Sequence, residues 1–364
     1  MRRFFAMAIR YKWLAGQLEA LIQKSIREGV DKLPTEQELC ARYQLSRQTV
    51  RMALKVLEEK GLIEKRRGSG SYITGRSPVP QENVIGVLLF NDQDYIYPGT
   101  LKDIQLTLAQ GGFSTLFFPT GNSVSKERQI LEGLVEAPPR GLIVEGSKSA
   151  LPNPNLDLYR KLDRKGCAVC FLYNHYPAAA GPLFVQDDNR SGSLLLVQHL
   201  AAQGHQRIGG IFKADDLQGH ERYQGFIEAL RDLSLPFFED QVSWYGSRDL
   251  HKLTALKDAS FLREIVLDSL SSCTAVVCYN DILAYHLVNV LLQDGYRLPR
   301  DMAVTAFDNT YLSNSDILTI TTLSHRPHEM GTRAASTLLK KIKGLPVHSQ
   351  EVPWHLNLKE STGA

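Results

Sequence analysis

Residues 33–74 read LPTEQELCARYQLSRQTVRMALKVLEEKGLIEKRRGSGSYIT, and this stretch decides the organisation of the chain. Thr35 followed by Glu38 is a capping-box pattern, which predicts a helix start. Leu39 and Tyr43 form an apolar pair one turn apart. Gln44-Leu45 makes the turn, and Ser46 caps a second helix. On that helix Val50, Ala53 and Leu57 share one face, with Leu54 at its border. Arg47, Gln48, Arg51 and Lys55 share another. An apolar back with a basic front suits a helix in the major groove of DNA, where Arg can bond guanine through two donors. Gly61 ends the helix. Leu62-Ile63-Glu64 and Ser71-Tyr72-Ile73 then flank Lys65-Arg66-Arg67-Gly68-Ser69-Gly70, a hairpin with a basic, glycine-rich tip. Such a tip lets backbone approach phosphates closely.

Charge is distributed in the same sense. Residues 1–76 hold sixteen Lys and Arg against eight Asp and Glu, and the remainder holds twenty-six against thirty-one. A basic head on an acidic body assigns the polyanionic partner, double-stranded operator DNA, to the head. No apolar run approaches the roughly twenty residues of a membrane span, so no membrane partner is expected. The opening MRRFFAMAIRYKWLAGQ lacks a continuous apolar core and reads as the lead into a helix over 9–28, not as a signal peptide. Either Met1 or Met7 can be the start. Five cysteines, with Cys167 and Cys170 on opposite faces of an extended segment, predict no disulfide framework, no zinc and a reduced, cytoplasmic setting. No cofactor is expected, because no metal motif, phosphate loop or nucleophile–base order stands out.

After the proline-containing stretch 77–83, read as a linker, the rhythm changes. Val84–Phe90 is a continuous apolar run, the mark of a strand buried on both faces. Strands at 113–118, 141–144, 168–172, 183–186, 207–212, 242–245, 274–278, 303–307 and 319–323 alternate with helices. That alternation predicts parallel α/β sheets, too many strands for one sheet, and so two lobes. The expected domains are residues 1–76, a winged helix-turn-helix head, and 84–364, a two-lobed effector domain. Polar residues gather just past the strand ends, where ligands bind in such folds. A sugar needs carboxylates and amides to accept from its hydroxyls, Arg or Lys to donate, and an aromatic face. Tyr95, Tyr97 and Phe307 are candidates for that face. Singly, Asp188, Asp216 and Asp281 read better as helix caps.

The head stretch closely resembles the winged helix-turn-helix of the GntR family, through LPTEQELCARY, SRQTVRMAL and GLIEKRRGSGSYI. The resemblance implies DNA contacts from Arg47, Thr49 and Arg51, and from Arg67 and Gly68 at the wing tip. Thr35, Glu36, Ser46 and Gln48 complete the candidate DNA surface. The body, through AAQGHQRIGGIF, GHERYQGFIEAL, TAVVCYNDILA, VTAFDN and LTITTLSHRPHEMG, resembles the ligand-binding domain of LacI/GalR-type repressors, relatives of periplasmic sugar-binding proteins. That resemblance implies ligand contacts at Arg222, Asn280, Asp308 and His325, the last standing where Gln is usual. Three further stretches, DYIYPGTLKDIQ, RGLIVEGSKSAL and GIFKADDLQGHERYQGF, are similar to the arabinose-responsive branch of such regulators. They imply that Asp94, Tyr95, Glu145, Lys148, Asp187, Lys213 and Asp215 join the effector site. The implied function is a dimeric, non-enzymatic repressor released by a small sugar, with L-arabinose the first candidate. Another sugar or a nucleoside on the same architecture, and a sugar-binding transport component, are the alternatives.

Overall fold

In the computed structural model of the chain, the described residues are 11, 14–19, 21, 22, 25, 30–66, 70–74 and 83–363. The wing-tip candidates Arg67 and Gly68 lie outside them, as do parts of the helix expected over 9–28 and nearly all of the expected linker. Two compact units emerge, residues 1–80 and 81–364.

In the first unit, α1 (Glu36–Tyr43) and α2 (Arg47–Glu59) are joined through Gln44, whose left-handed backbone makes the tight turn. The capping box at Thr35 forms in full: Glu38 N–H donates to Thr35 Oγ1 at 3.3 Å and Thr35 N–H donates to Glu38 Oε2 at 2.7 Å. Leu39, Val50, Ala53, Leu54 and Leu57 pack with Leu14, Leu18 and Ile22 into one core. Leu54 is fully inside, not at the border. The strands β1 (Ile63–Arg66) and β2 (Gly70–Ile73) pair antiparallel, Ile63 facing Ile73 and Arg66 facing Gly70.

The second unit opens with β3 (Val84–Leu89), α3 (Tyr97–Gln110), β4 (Ser114–Pro119), α4 (Val124–Glu136), β5 (Gly141–Val144), α5 (Leu156–Arg164), β6 (Ala168–Tyr173) and β7 (Phe184–Asp187). It continues with α6 (Asn189–Ala202), β8 (Ile208–Lys213), α7 (Leu217–Asp232), β9 (Val242–Tyr245), α8 (Ser247–Ala255), α9 (Ser260–Asp268), β10 (Ala275–Cys278), α10 (Asp281–Gln293), β11 (Ala303–Phe307) and β12 (Thr321–Ser324). It closes with α11 (Glu329–Ile342), β13 (Gln350–Val352) and β14 (His355–Asn357). Two six-stranded sheets result, ordered β13-β7-β6-β5-β3-β4 and β14-β12-β11-β10-β8-β9. Every pairing is parallel except β12 with β14. The central strands β3, β5, β8, β10 and β11 are buried along their whole length, which is why their sequences are continuous apolar runs rather than alternating ones.

The chain crosses between the lobes three times, after β7, after β12 and between β13 and β14. The last two strands carry no apolar run, only Gln-Glu-Val and His-Leu-Asn, and the sequence reading did not find them. Their place comes from the sheet edges that accept them. Every crossing puts polar residues beside the cleft, and those residues build much of the site.

Candidate functional site

On the head, the exposed front of α2 carries Arg47, Gln48, Arg51 and Lys55. Glu36, at the first turn of α1, accepts from both guanidinium groups: Arg47 Nε at 3.2 Å and Arg51 Nε at 3.0 Å. Burial works to raise the Glu36 carboxyl, and the hydrogen bonds from Arg51 and Arg47 outweigh it, so its pKa sits below the usual value. One carboxylate thus orients the two side chains expected to read bases. Thr49 departs from expectation. It is buried at 3 % exposure, and its hydroxyl lies 2.8 Å from that of Ser46, the cap of α2. It braces the helix start rather than facing outward, because the apolar face wraps one position further than the basic pattern indicated.

In the body, Arg222 is the centre of the cleft. One turn into α7, it is 2 % exposed. Its Nε donates to Asn189 Oδ1 at 2.9 Å, and another nitrogen donates to the carbonyl of Tyr279. Its remaining nitrogen faces Asp187 Oδ2 at 3.6 Å and Asp308 Oδ1 at 3.9 Å. The guanidinium lies 4.0 Å over the Phe307 ring and 4.8 Å from that of Tyr279. Phe307, expected to stack on a sugar, is therefore taken by the arginine. Burial works to lower the Arg222 pKa, but the charges of Asp308 and Asp187 outweigh it and the net shift is upward. Asp308 is reached from the other lobe by the Tyr95 hydroxyl, which donates to it. Burial raises the Asp308 carboxyl in spite of Arg222.

A second group lies deeper. Lys213, at the end of β8, pairs with Asp216 Oδ2 at 2.5 Å and Asp215 Oδ1 at 3.6 Å. Asp216 is thus an ion-pair partner, not the side-chain cap it was expected to be. Asp188 does cap its helix, accepting from Ser191 N–H at 3.1 Å. Glu145 follows β5 and accepts from Phe90 N–H at 3.0 Å and from the Tyr97 hydroxyl at 3.1 Å. Burial, reinforced by the charge of Asp216, pushes its pKa up to about 8. Asp281 accepts from Thr310 N–H at 2.6 Å and from the Thr322 hydroxyl at 2.7 Å, and burial pushes it up to about 7. It braces the loop behind Asp308 instead of capping α10. Asn280 is that cap, accepting from Leu283 N–H at 3.1 Å.

Three other candidates stand apart from this centre. Asp94 sits at the rim, where the exposed Tyr311 hydroxyl donates to it at 2.8 Å across the lobes. Lys148 lines a separate groove with Asn122, Arg248 and His251. Asp215 accepts from Ser247 N–H at 3.0 Å. His325 is beside the centre but has both ring nitrogens occupied, by Asp187 Oδ1 at 2.8 Å and the Pro353 carbonyl at 3.0 Å. It has no ring nitrogen to offer a ligand, which corrects the contact expected of it. Asn189, Tyr279 and Trp354 complete the Arg222 surroundings; the sequence places Tyr279 just past a strand end without a role, and reading it missed Asn189 and Trp354. Trp354 lies in a polar C-terminal stretch with no periodicity to flag it.

What the cleft can do follows from these groups. A recess of about 490 Å³ beside Arg222 is lined by Tyr95, Asp187, Asp308, His325 and Trp354, among others. Trp354 Nε1 and, further in, the Tyr245 hydroxyl are buried without a hydrogen-bond partner among the described residues. Buried carboxylates that accept, one guanidinium that donates and orphaned donors nearby suit a small polyhydroxylated ligand.

The comparisons agree. Residues 10–73 match the model of bacterial regulatory proteins of the gntR family, and residues 197–362 match the periplasmic binding protein-like domain. The chain is 36 % identical over 318 residues to the arabinose metabolism transcriptional repressor of Geobacillus stearothermophilus, covering 86 % of this chain and 85 % of that one. It is 31 % identical over 345 residues to the repressor of the same name from Halalkalibacterium halodurans, covering 93 % and 90 %. The chain belongs to this family of gntR-headed transcriptional repressors. The family is one of DNA-binding regulators with a sugar-sensing body, not of enzymes. A solved transcriptional regulator CelR in complex with cellobiose superposes on the repressor with a TM-score of 0.66 at 22 % identity, covering 93 % of this chain and 94 % of that one. At that identity the likeness speaks for the fold alone. No helix among the repressor's described residues is long and apolar enough to cross a membrane.

Proposed function

We propose that this repressor holds operator DNA as a homodimer and lets go when L-arabinose binds between its lobes. In this reading residues 1–76 are the DNA-binding domain, 77–83 the linker and 84–364 the sensor. Arg47, Gln48 and Arg51 read bases, with Glu36 orienting them. Arg67 and Gly68 reach phosphate from the wing, and the helix starts at Thr35 and Ser46 lie along the backbone. In the sensor, Arg222 donates to sugar hydroxyls while Asp187, Asp308 and Glu145 accept from them. Tyr95 and Tyr97 supply hydroxyls and ring faces, and Lys213 holds the deeper wall. The observation that carries this reading is the buried Arg222 set between Asp187 and Asp308, a donor flanked by acceptors at the meeting of the lobes. The choice of arabinose rests on the names of the two relatives above. The sugar must favour the closed lobes, since a ligand with equal affinity for both states shifts nothing. Two heads held by one dimer engage half-sites about one DNA turn apart, and a changed spacing releases them. The setting is the cytoplasm, where DNA and free thiols coexist.

Calorimetric titration with L-arabinose, D-xylose, D-galactose and a nucleoside tests the ligand. Fluorescence anisotropy on operator DNA tests release. Binding by L-arabinose alone, with loss of the DNA complex on its addition, is the expected result. A protein that ignores arabinose and responds to another of the panel overturns the ligand. Light scattering that finds only monomer, with and without operator, overturns the dimer.

A further inference from the structure

The three strands that cross between the lobes meet at one imidazole. His325 lies on the second crossing, just past β12. Its Nε2 is 2.8 Å from Asp187 Oδ1, on the first crossing, and its Nδ1 is 3.0 Å from the carbonyl oxygen of Pro353, on the third. Its ring stacks on Trp354, also on the third, at 3.8 Å between centroids and 23° between planes. A neutral imidazole has one N–H and one bare nitrogen. The Pro353 carbonyl can only accept, and so can an ionised Asp187. Both contacts are satisfied together only when both nitrogens carry a proton.

We infer that His325 is the positioning residue of the hinge: as an imidazolium it ties all three crossings together, and the sugar-closed repressor holds a proton there that the open one holds less tightly. This rests on the reading above, in which a sugar closes the lobes. The groups facing the ring are accounted for. Asp187 from β7 and Asp308 from the loop after β11 favour the cation, as does Glu329 in the first turn of α11. Arg222 from α7 opposes it, but is itself held between the same two aspartates. From the third crossing the ring meets the Pro353 carbonyl and Trp354. Burial works to lower the His325 pKa, and the hydrogen bond and charge of Asp187 reverse that, leaving it above the ordinary 6.5. The sign follows. A cation-favouring closed state is favoured at low pH and loses that advantage as pH rises through its raised pKa.

The test is calorimetric titration of the full chain with L-arabinose at a series of pH values from about 6 to 8, repeated at each in buffers that differ in ionisation enthalpy, such as phosphate, HEPES and Tris. The slope of observed heat against that enthalpy counts protons. The expected slope shows net proton uptake on binding, largest between the open-state and closed-state pKa values. The sugar affinity falls by up to about tenfold per pH unit between the open-state and the closed-state pKa, and is level above the latter. His325→Gln, which can donate to only one of the two acceptors from its amide end, loses the uptake and flattens the pH profile. Binding with zero slope in the parent, or an uptake that His325→Gln retains, overturns the inference. If L-arabinose gives no heat in any buffer, the ligand reading falls instead. The ring's own ¹⁵N spectrum, assigned by the signal absent in His325→Gln, then decides. Followed against pH, a ring that titrates above the ordinary 6.5 supports the inference, and one that titrates at or below it overturns the inference.

Discussion

The head and the body both set arginines against carboxylates, in opposite surroundings. Arg47 and Arg51 share Glu36 at the surface, with side chains 72 % and 60 % exposed. Arg222 shares Asp187 and Asp308 inside the cleft, at 2 % exposure. An exposed pair is worth about 0–1 kcal/mol, because water screens it and two long side chains must be held still. Such arginines can be handed to a nucleic acid at little cost. A buried set is different. Its charges have lost their water, and removing one partner leaves the others stranded. The head therefore carries interchangeable contacts, while the body carries a locked arrangement that a ligand has to rearrange as a unit.

The largest effect expected from this contrast is at Arg222. Arg222→Ala leaves Asp308 buried without its cation and Asp187 with His325 alone, and should cost about 3–5 kcal/mol of stability. Urea unfolding of the body reads this directly, and a loss below about 1 kcal/mol would show the cleft to be as well solvated as the head. Glu145 comes next, through pH. Its pKa rises from 4.5 to about 8 on folding, so the folded state binds the proton more tightly. Its effect is a stability that declines as pH rises from about 4.5 to about 8 and is level above that. Glu145→Gln should flatten that part of the profile, and an unchanged slope would move the titration elsewhere. Third is the reading helix. Arg47→Ala should lose about 1–3 kcal/mol of operator affinity and relax base preference at one position, while its urea midpoint stays that of the parent. Gel shifts with unchanged affinity and preference would turn α2 away from the groove. The smallest effect is at Glu36. Glu36→Gln should change stability by less than about 1 kcal/mol, and a larger loss in thermal unfolding would mean that the surface pair is shielded after all.

Legibility in the sequence differed between the regions for a physical reason. The head is built from contacts close along the chain: the capping box joins residues three apart, and the turn is set by Gln44. Such features leave local signatures, and the reading of α1, α2 and the paired strands needed nothing else. Thr49 was misjudged because an outward-facing and an inward-facing threonine look alike until the packing against Ser46 is known. In the body, apolar runs revealed most strands, but β13 and β14 carry none, since each lies at a sheet edge.

The cleft shows the same division. Sequence alone was enough to place polar residues past the ends of strands, Arg222, Asp187, Asp308, Tyr95 and Glu145 among them, while the roles expected of them came from the resemblance of the body. It determined the basic head, the α/β body and the residue types available for a sugar. The partners were decided by tertiary structure. His325 and Asp187 are 138 positions apart, and Tyr95 and Asp308 are 213 apart. Separations of that size carry no periodic signal. They are closed only when three crossings join the two lobes, and it is there that the arginine meets its two aspartates and the histidine its carboxylate and its carbonyl.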